Sequence, residues 1–500
     1  MQRESGILMP IFSLPNKYGI GDFGKSSYKF IDFLRSANQR VWQILPLVQT
    51  GYGNSPYSSI ASTSFSPYFI SPEILMEEGL LTKEELETSI NEEKYVDYGF
   101  LFSVRFSLLR KAFSRFDREN KEFNGFVKGK TYLDYALFMA LKGKFNDKHF
   151  YEWKDKYKYR DKKALLEFEK ENKEEILFWQ FVQFKAKTQW QSVKKYANKN
   201  KIKIFGDLPL YVALDSVDVW CNPKLFKLNR KLTPKKVAGV PPDYFCSEGQ
   251  LWGNPVYDYR EHKKDNFKWW TNRIKTSLNN FDLIRVDHFR GLDRFYQVDF
   301  GKENAMEGEW VKVPSKALLK AIHEKVDKDR IIAEDLGIID DGVRKLLNHA
   351  GYPGMKILSF AFNGEWNNPY LPKNIEENSV CFTGTHDNDT LLSLIQNQNE
   401  WERNNLYWGV KNSLMEQNIY GEVDGDYSLA RSVIALGASS KAKLFILPMQ
   451  DLLLKGGDYR INEPGVVKEQ NWAIRFKEND FGEKEVNLLL SQNAKFNRNK

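Results

Sequence analysis

An α/β fold, a (β/α)8 barrel with large insertions, is the class this sequence predicts, on three observations. Eight short β-branched and apolar runs follow one another, at 6–12, 41–47, 202–210, 281–286, 330–333, 355–360, 379–382 and 443–447. They are near-continuously hydrophobic, the pattern of parallel strands buried on both faces. Each leads through Gly, Pro or polar residues into a helix-like stretch. Eight strands so connected close a barrel of typically about 250 residues. The chain has 500 residues, so one catalytic domain over 1–500 must carry the excess as insertions between strands.

Taken in order, the first run leads into Gly19-Ile20-Gly21-Asp22-Phe23-Gly24 and a helix over 26–36. The glycines satisfy G-x-G-x-x-G, but a dinucleotide site needs them directly after the strand and an acid about 20 residues on. Ser13 to Tyr18 intervene, and the second run ends in Leu45-Pro46-Leu47 without an acid. NAD binding is not expected. Between the second and third runs, 72–200 reads as a mostly helical insertion, with helical spacing over 95–113 and 163–196. Its basic run at 154–163 is interleaved with acids, which marks a solvated mixed-charge face. The stretch 211–280, dense in Pro, Gly, Trp and Tyr, reads as a loop-rich insertion lining the active site.

Composition excludes several classes. A net charge of +8 spread over the chain gives no basic stripe for nucleic acid. Hydrophobic residues at 42% exclude a mainly disordered chain. No window approaches 18 apolar residues, and the start, broken by Pro10 and Pro15, lacks the signal-peptide pattern. Cys221, Cys246 and Cys381 show no C-x-x-C spacing, which argues against a disulfide framework or zinc site. A cytosolic protein with no membrane or nucleic-acid partner is expected. The 35 Phe, 24 Tyr and 13 Trp serve cores and sugar rings alike.

Barrel chemistry sits at the C-terminal strand ends. Those ends carry Asp207, Asp287, Glu334 with Asp335, Asp387, and Asp451. Burial and like-charge neighbours can raise one carboxyl's pKa and leave another low, which supplies a proton donor beside an ionised nucleophile. A retaining glycosidic mechanism needs that pair. His288 and His386 each adjoin a strand-end acid, where they could meet sugar hydroxyls.

The segments Ile284-Arg285-Val286-Asp287-His288-Phe289-Arg290-Gly291, Ala333-Glu334-Asp335-Leu336-Gly337 and Gly384-Thr385-His386-Asp387-Asn388-Asp389-Thr390 resemble those of the 4-α-glucanotransferases, or amylomaltases. Further matching segments span nearly the whole chain. They include Ser55-Pro56-Tyr57-Ser58, Gly206-Asp207-Leu208-Pro209-Leu210-Tyr211, Pro241-Pro242-Asp243-Tyr244-Phe245 and Gly249-Gln250-Leu251-Trp252-Gly253-Asn254-Pro255. Pro353-Gly354-Met355-Lys356 and the tail from Asn462-Glu463-Pro464-Gly465 to Asn471-Trp472 complete the series.

The resemblance implies an α-retaining glucanotransferase that needs no metal or organic cofactor and acts on maltooligosaccharides and α-1,4-glucans. Asp287 would be the nucleophile, Glu334 the acid and base, and Asp387 the third carboxylate, holding hydroxyls of the distorted donor sugar. Arg285, on the same strand face two residues before the nucleophile, would lower its pKa. His288 and His386 would bind ring hydroxyls, with Asp207 supporting that subsite and Tyr57 stacking under the reacting sugar. Tyr244, Phe245 and Trp252 would line the acceptor side, in a loop that keeps water from competing with a sugar acceptor. Cys246 and Ile461 stand where the family pattern would have other residues. An α-glucan hydrolase and a non-catalytic glycogen- or starch-binding protein are the alternatives.

Overall fold

The computed structural model describes residues 3–51, 53–242 and 247–500. Eight parallel strands form one sheet: β1 (Glu4–Leu8), β2 (Val41–Gln43), β3 (Lys203–Leu208), β4 (Leu283–Val286), β5 (Ile331–Ala333), β6 (Gly354–Ile357), β7 (Ser379–Phe382) and β8 (Leu444–Pro448). Each overlaps one of the eight apolar runs, although the first strand starts two residues before its run and ends at Leu8, and Leu358–Phe360 of the sixth run form a 3-10 turn. They neighbour one another in chain order, and β1 pairs with both β2 and β8, Gly6 opposite Val41 and Glu4 opposite Leu444. The seam between β5 and β6 is bridged by the Ala333 N–H on the Pro353 carbonyl at 2.9 Å. The Met355 N–H adds a bond to Asp335 Oδ1 at 2.6 Å. β2, β5, β7 and β8 are buried along their whole length, as a sheet packed on both faces requires.

Return helices cover the outside of the barrel. Lys173–Lys199, the helix before β3, buries Phe178, Phe181, Trp190 and Val193, and its middle, Phe178 to Ala186, is buried all round. Within 72–200 the aromatic residues pack on each other, Phe113 against Phe181 at 5.4 Å and Phe116 against Phe123 at 5.2 Å between ring centres. This stretch holds 25 of the 72 aromatic residues of the chain. The 154–163 run forms a short helix, Asp155–Lys158, with Lys154, Asp155 and Lys156 in solvent. The glycine cluster serves the backbone: the Gly21 N–H donates to the Phe12 carbonyl at 3.1 Å, and the buried Asp22 carboxylate accepts from the Gly24 N–H at 2.8 Å.

The connection 211–280 holds more regular structure than its loop-like composition suggests. Its strands Lys236–Val240 and Gln250–Pro255 join Arg294–Asp299 and Gly308–Lys312 in a four-stranded antiparallel sheet. Two of those partners lie beyond β4, so no local pattern announces the pairing. The helix Lys268–Asn280 then returns the chain to β4.

Gly206 in β3 is where barrel and outer layer meet most closely, since a Cβ there would stand 2.3 Å from the Phe281 ring. Phe281 is itself held by Trp190, with ring centres 6.2 Å apart. Gly206→Ala is therefore expected to cost about 1–3 kcal/mol through overpacking, read as a lowered melting temperature. An unchanged melting temperature would show that Phe281 can move aside.

Candidate active site

The site grows out of the β3–β4–β5 register. Asp207 lies opposite Arg285, and Val286 opposite Ala333. One residue further on, the Asp287 N–H donates to the Leu208 carbonyl and the Glu334 N–H to the Val286 carbonyl, both at 3.0 Å. Two carboxylates are thus fixed by main-chain bonds at the ends of adjacent strands. Side-chain alternation sends Arg285 and Asp287 to one face, and Ile284 and Val286 to the other.

Arg285 organises the charge. Its Nε and Nη2 grip Asp207 Oδ1 and Oδ2 at 2.9 and 2.7 Å, and Nη2 also donates to Asp287 Oδ1 at 2.8 Å. Asp207 is wholly buried and Arg285 is 3% exposed, whereas Asp287 keeps 27% of its side chain open to the cleft. A bidentate fork of this kind locks the guanidinium in place and leaves Asp287 as the accessible anion. Tyr57 donates to Asp207 Oδ2 at 2.5 Å and accepts from Arg285 Nη2 at 3.1 Å. With its only proton on Asp207, Tyr57 must accept from His386 Nε2, 2.9 Å away. The tautomer with a proton on Nε2 follows, and the same nitrogen lies 3.3 Å from Asp387 Oδ2. The Tyr57 ring stacks on His386 at 5.3 Å and 17°, with Trp472 5.7 Å from Tyr57.

His288 takes a left-handed conformation, φ 48° and ψ 52°, which turns its N–H onto Glu334 Oε2. Gly291 leaves room for that turn, because a Cβ there would stand 3.0 Å from the His288 ring and 2.2 Å from Leu210. Trp252, on the strand Gln250–Pro255, meets the His288 ring edge-on at 4.9 Å. Tyr244 and Phe245, expected beside it, lie outside the described residues, as does Cys246.

Burial and neighbouring charge separate the carboxyls. Burial, then the Asp287 charge, pushes Glu334 well above the usual carboxylic range. Burial raises Asp287 to about 6 against the pull of Arg285. Burial also acts upward on Asp387, but the charge and hydrogen bond of His386, with Asn462, bring it down to about 2. Burial and the Arg290 charge hold His288 down at about 4, neutral at pH 7. At neutral pH Asp287 is thus ionised, while Glu334 beside it is pushed toward its protonated, donor form. A further result is expected: kcat/KM should rise with pH, about tenfold per unit below pH 6, as Asp287 loses its proton. It should fall again at higher pH, where Glu334 loses the proton it must donate. An acidic limb near pH 4 in a rate profile would contradict the raised Asp287.

The strand-end acids divide into two groups. Asp207, Asp287, Glu334 and Asp387 are joined by hydrogen bonds or mutual charge effects. Asp335 and Asp451 serve the scaffold instead. Asp335 ties β6 at the seam, and Asp451 accepts from Thr383 Oγ1 at 2.6 Å and the Leu391 N–H at 2.8 Å. Three residues without an assigned role also reach the site. Asn462 Nδ2 donates to Asp387 Oδ1 at 2.6 Å, Arg460 Nη2 donates to the Asp387 carbonyl at 2.9 Å, and Trp472 lies by the Tyr57–His386 stack. They come from the tail beyond β8, so a search of strand ends misses them. The only signal was that Asn462 and Trp472 fall in a segment resembling the family.

A parallel barrel whose adjacent strand ends carry a buried carboxyl and an Arg-clamped carboxylate holds the pair that glycosidic-bond chemistry uses. The family's sequence model, glycoside hydrolase 77, described as 4-alpha-glucanotransferase, matches residues 9–480. The chain belongs to the 4-alpha-glucanotransferase family and is an enzyme of that kind. The 4-alpha-glucanotransferase of Clostridium butyricum is 43% identical over 490 residues, covering 96% of this chain and 98% of that protein. The one from Synechocystis is 42% identical, covering 95% and 94%. The amylomaltase of Streptococcus agalactiae, solved in complex with acarbose, superposes with a TM-score of 0.93 at 35% identity, covering 99% of this chain and all of that one. The amylomaltase of Corynebacterium glutamicum, at 18% identity, shares the fold with a TM-score of 0.80, covering 100% of this chain and 75% of its own.

Proposed function

We propose that this enzyme moves α-1,4-glucan segments between maltooligosaccharides by a retaining double displacement. Asp287 attacks the anomeric carbon and forms a covalent β-glucosyl-enzyme. Glu334 protonates the departing 4-OH and then takes the proton of the acceptor's 4-OH, so configuration is inverted twice. Asp387 and His386 hold hydroxyls of the distorted donor sugar, and Asn462 steadies Asp387. Asp207 and Arg285 keep the nucleophile's countercharge rigid. Tyr57 offers its ring to the reacting sugar, while His288 and Trp252 border the acceptor side, with glucose or a short maltodextrin as acceptor. Tyr244 and Phe245 extend that border in our reading.

The observation that carries this reading is the pairing of a buried Glu334, its pKa pushed upward, with an Arg285-clamped Asp287 on the adjacent strand. The chemistry needs no metal or organic cofactor, because both proton transfers and the nucleophile come from side chains. We read 1–500 as one catalytic domain in which 72–200 and 211–280 are insertions. No described helix is long and apolar enough to cross a membrane. Cys221 and Cys381 are unpaired with each other, which supports a cytosolic setting.

Maltotriose decides between transfer and hydrolysis. Incubation should give glucose together with a ladder of longer maltooligosaccharides. Only shorter sugars would identify a hydrolase, and no turnover with retained binding would identify a glucan-binding protein.

A further inference from the structure

The helix Glu400–Glu416 lies in the connection between β7 and β8. It buries Leu406, Val410, Ser413 and Leu414 on one side. Its opposite side is unusual for a solvent face. Trp401 is 67% exposed, Trp408 53% and Met415 60%. They recur every seven residues, so they align on one face about 10.5 Å apart, two turns each. The exposed Asn404 and Asn412 flank them. Tyr407 meets the Trp408 ring edge-on at 5.3 Å and 89°, and Lys411 Nζ lies 4.9 Å from its centre. The indole is thereby propped instead of folding onto the surface.

A loop from the catalytic end of the barrel packs on this helix. Positions Gly364 and Gly409 bring the loop after β6 onto this helix, where Cβ atoms would lie 3.3 Å from Asn405 and 2.9 Å from Phe362. Trp366, two residues further along that loop, is 81% exposed. Back toward the strand end, Phe360 is 40% exposed and its ring centre lies 5.8 Å from that of Tyr370. The loop that leaves the catalytic end of β6 thus carries the exposed rings of Phe360 and Trp366 toward the outer helix.

We propose that Trp366, Trp401 and Trp408 form a second, non-catalytic binding surface for long α-1,4-glucan chains. The proposal rests on the glucan-transfer reading above. Separate upright rings with amides between them suit a neutral ligand with apolar C–H faces and many hydroxyls, and the loop carrying Trp366 starts at the catalytic end of the barrel. Holding a long polymer there raises its local concentration at the cleft, an advantage that short maltooligosaccharides do not share.

The test compares wild type with a Trp401→Ala/Trp408→Ala double variant and with the same positions changed to Tyr. Apparent Kd for amylose is read from retardation in amylose-containing native gels, and kcat and KM are read on maltotriose and on amylose. The Ala variant should bind amylose about tenfold more weakly, the effect of losing two modest ring contacts. Its KM for amylose should rise in step while maltotriose kinetics stay unchanged, and the Tyr variant should recover most of the binding. Amylose retardation equal to wild type would overturn the proposal. So would an Ala variant that turns from dimer to monomer with amylose binding intact, which would make this face a contact between copies. If wild type makes no ladder from maltotriose, the transfer reading fails instead, and amylose retardation still judges the surface.

Discussion

Asp287→Asn is expected to lower kcat by about four orders of magnitude while leaving maltooligosaccharide affinity within a few-fold. About 10⁴ corresponds to roughly 5.4 kcal/mol of transition-state stabilisation. Losses of that order follow removal of a residue that forms the covalent bond. Affinity survives because Asp207, His386 and Asp387 stay in place: Arg285 keeps its bidentate grip on Asp207, and Asn462 keeps its bond to Asp387. A second consequence follows from the charge coupling. The Asp287 anion is, after burial, the main influence raising Glu334, so the amide variant should show a lower Glu334 pKa. Steady-state kinetics with binding measured by calorimetry checks the first expectation, and a carboxyl titration checks the second. Activity within tenfold of wild type would remove Asp287 from the nucleophile's role.

Glu334→Gln should behave differently, and the difference identifies an acid and base. Natural donors have a poor leaving group that must be protonated, so turnover of maltotriose should fall about 10³- to 10⁴-fold, toward the upper range for general acid–base catalysis. A maltosyl fluoride donor needs no proton, so its first step should survive with Asp287 untouched. The covalent intermediate should then accumulate, since no base activates the acceptor. Added azide needs no base either and should speed turnover, yielding the α-configured azide. Equal losses on both donors, with no azide rescue, would mean that Glu334 does not act on the proton. The amide also alters the bond that Glu334 accepts from the His288 N–H, so a melting curve belongs beside the kinetics.

The sequence was most legible where neighbours along the chain decide the outcome. Apolar runs overlap all eight barrel strands. Asp287 and Glu334 follow their strands directly, so placing the strands also placed both carboxylates. The long helix Lys173–Lys199 falls within the stretch read as helical, and its middle, Phe178 to Ala186, is buried all round.

Contacts between distant segments were less legible. Asp335 and Asp451 look like Asp287 in sequence, each an acid at a strand end. What separates them is which partner arrives: a Met355 N–H, a Thr383 hydroxyl and a Leu391 N–H make scaffold ties of two acids, while Arg285 makes an open anion of the third. Asn462 and Trp472 join the site only because the tail folds back past β8. There the Asn462 N–H meets the His386 carbonyl at 3.1 Å and Tyr98 donates to the Trp472 carbonyl at 2.7 Å. The antiparallel sheet carrying Trp252 stayed hidden because its strands come from two different barrel connections.

The sequence by itself determined the barrel, its insertions and the three acids at the ends of β4, β5 and β7, because periodicity and strand-end position are local properties. Only the tertiary structure decided which carboxyl is pushed upward and which is held down. It also decided which strand-end acids belong to the scaffold, and how His386, Tyr57 and Asn462 share protons. Those outcomes depend on burial and on charges brought within hydrogen-bond distance from far along the chain, and neither exists until the barrel has closed.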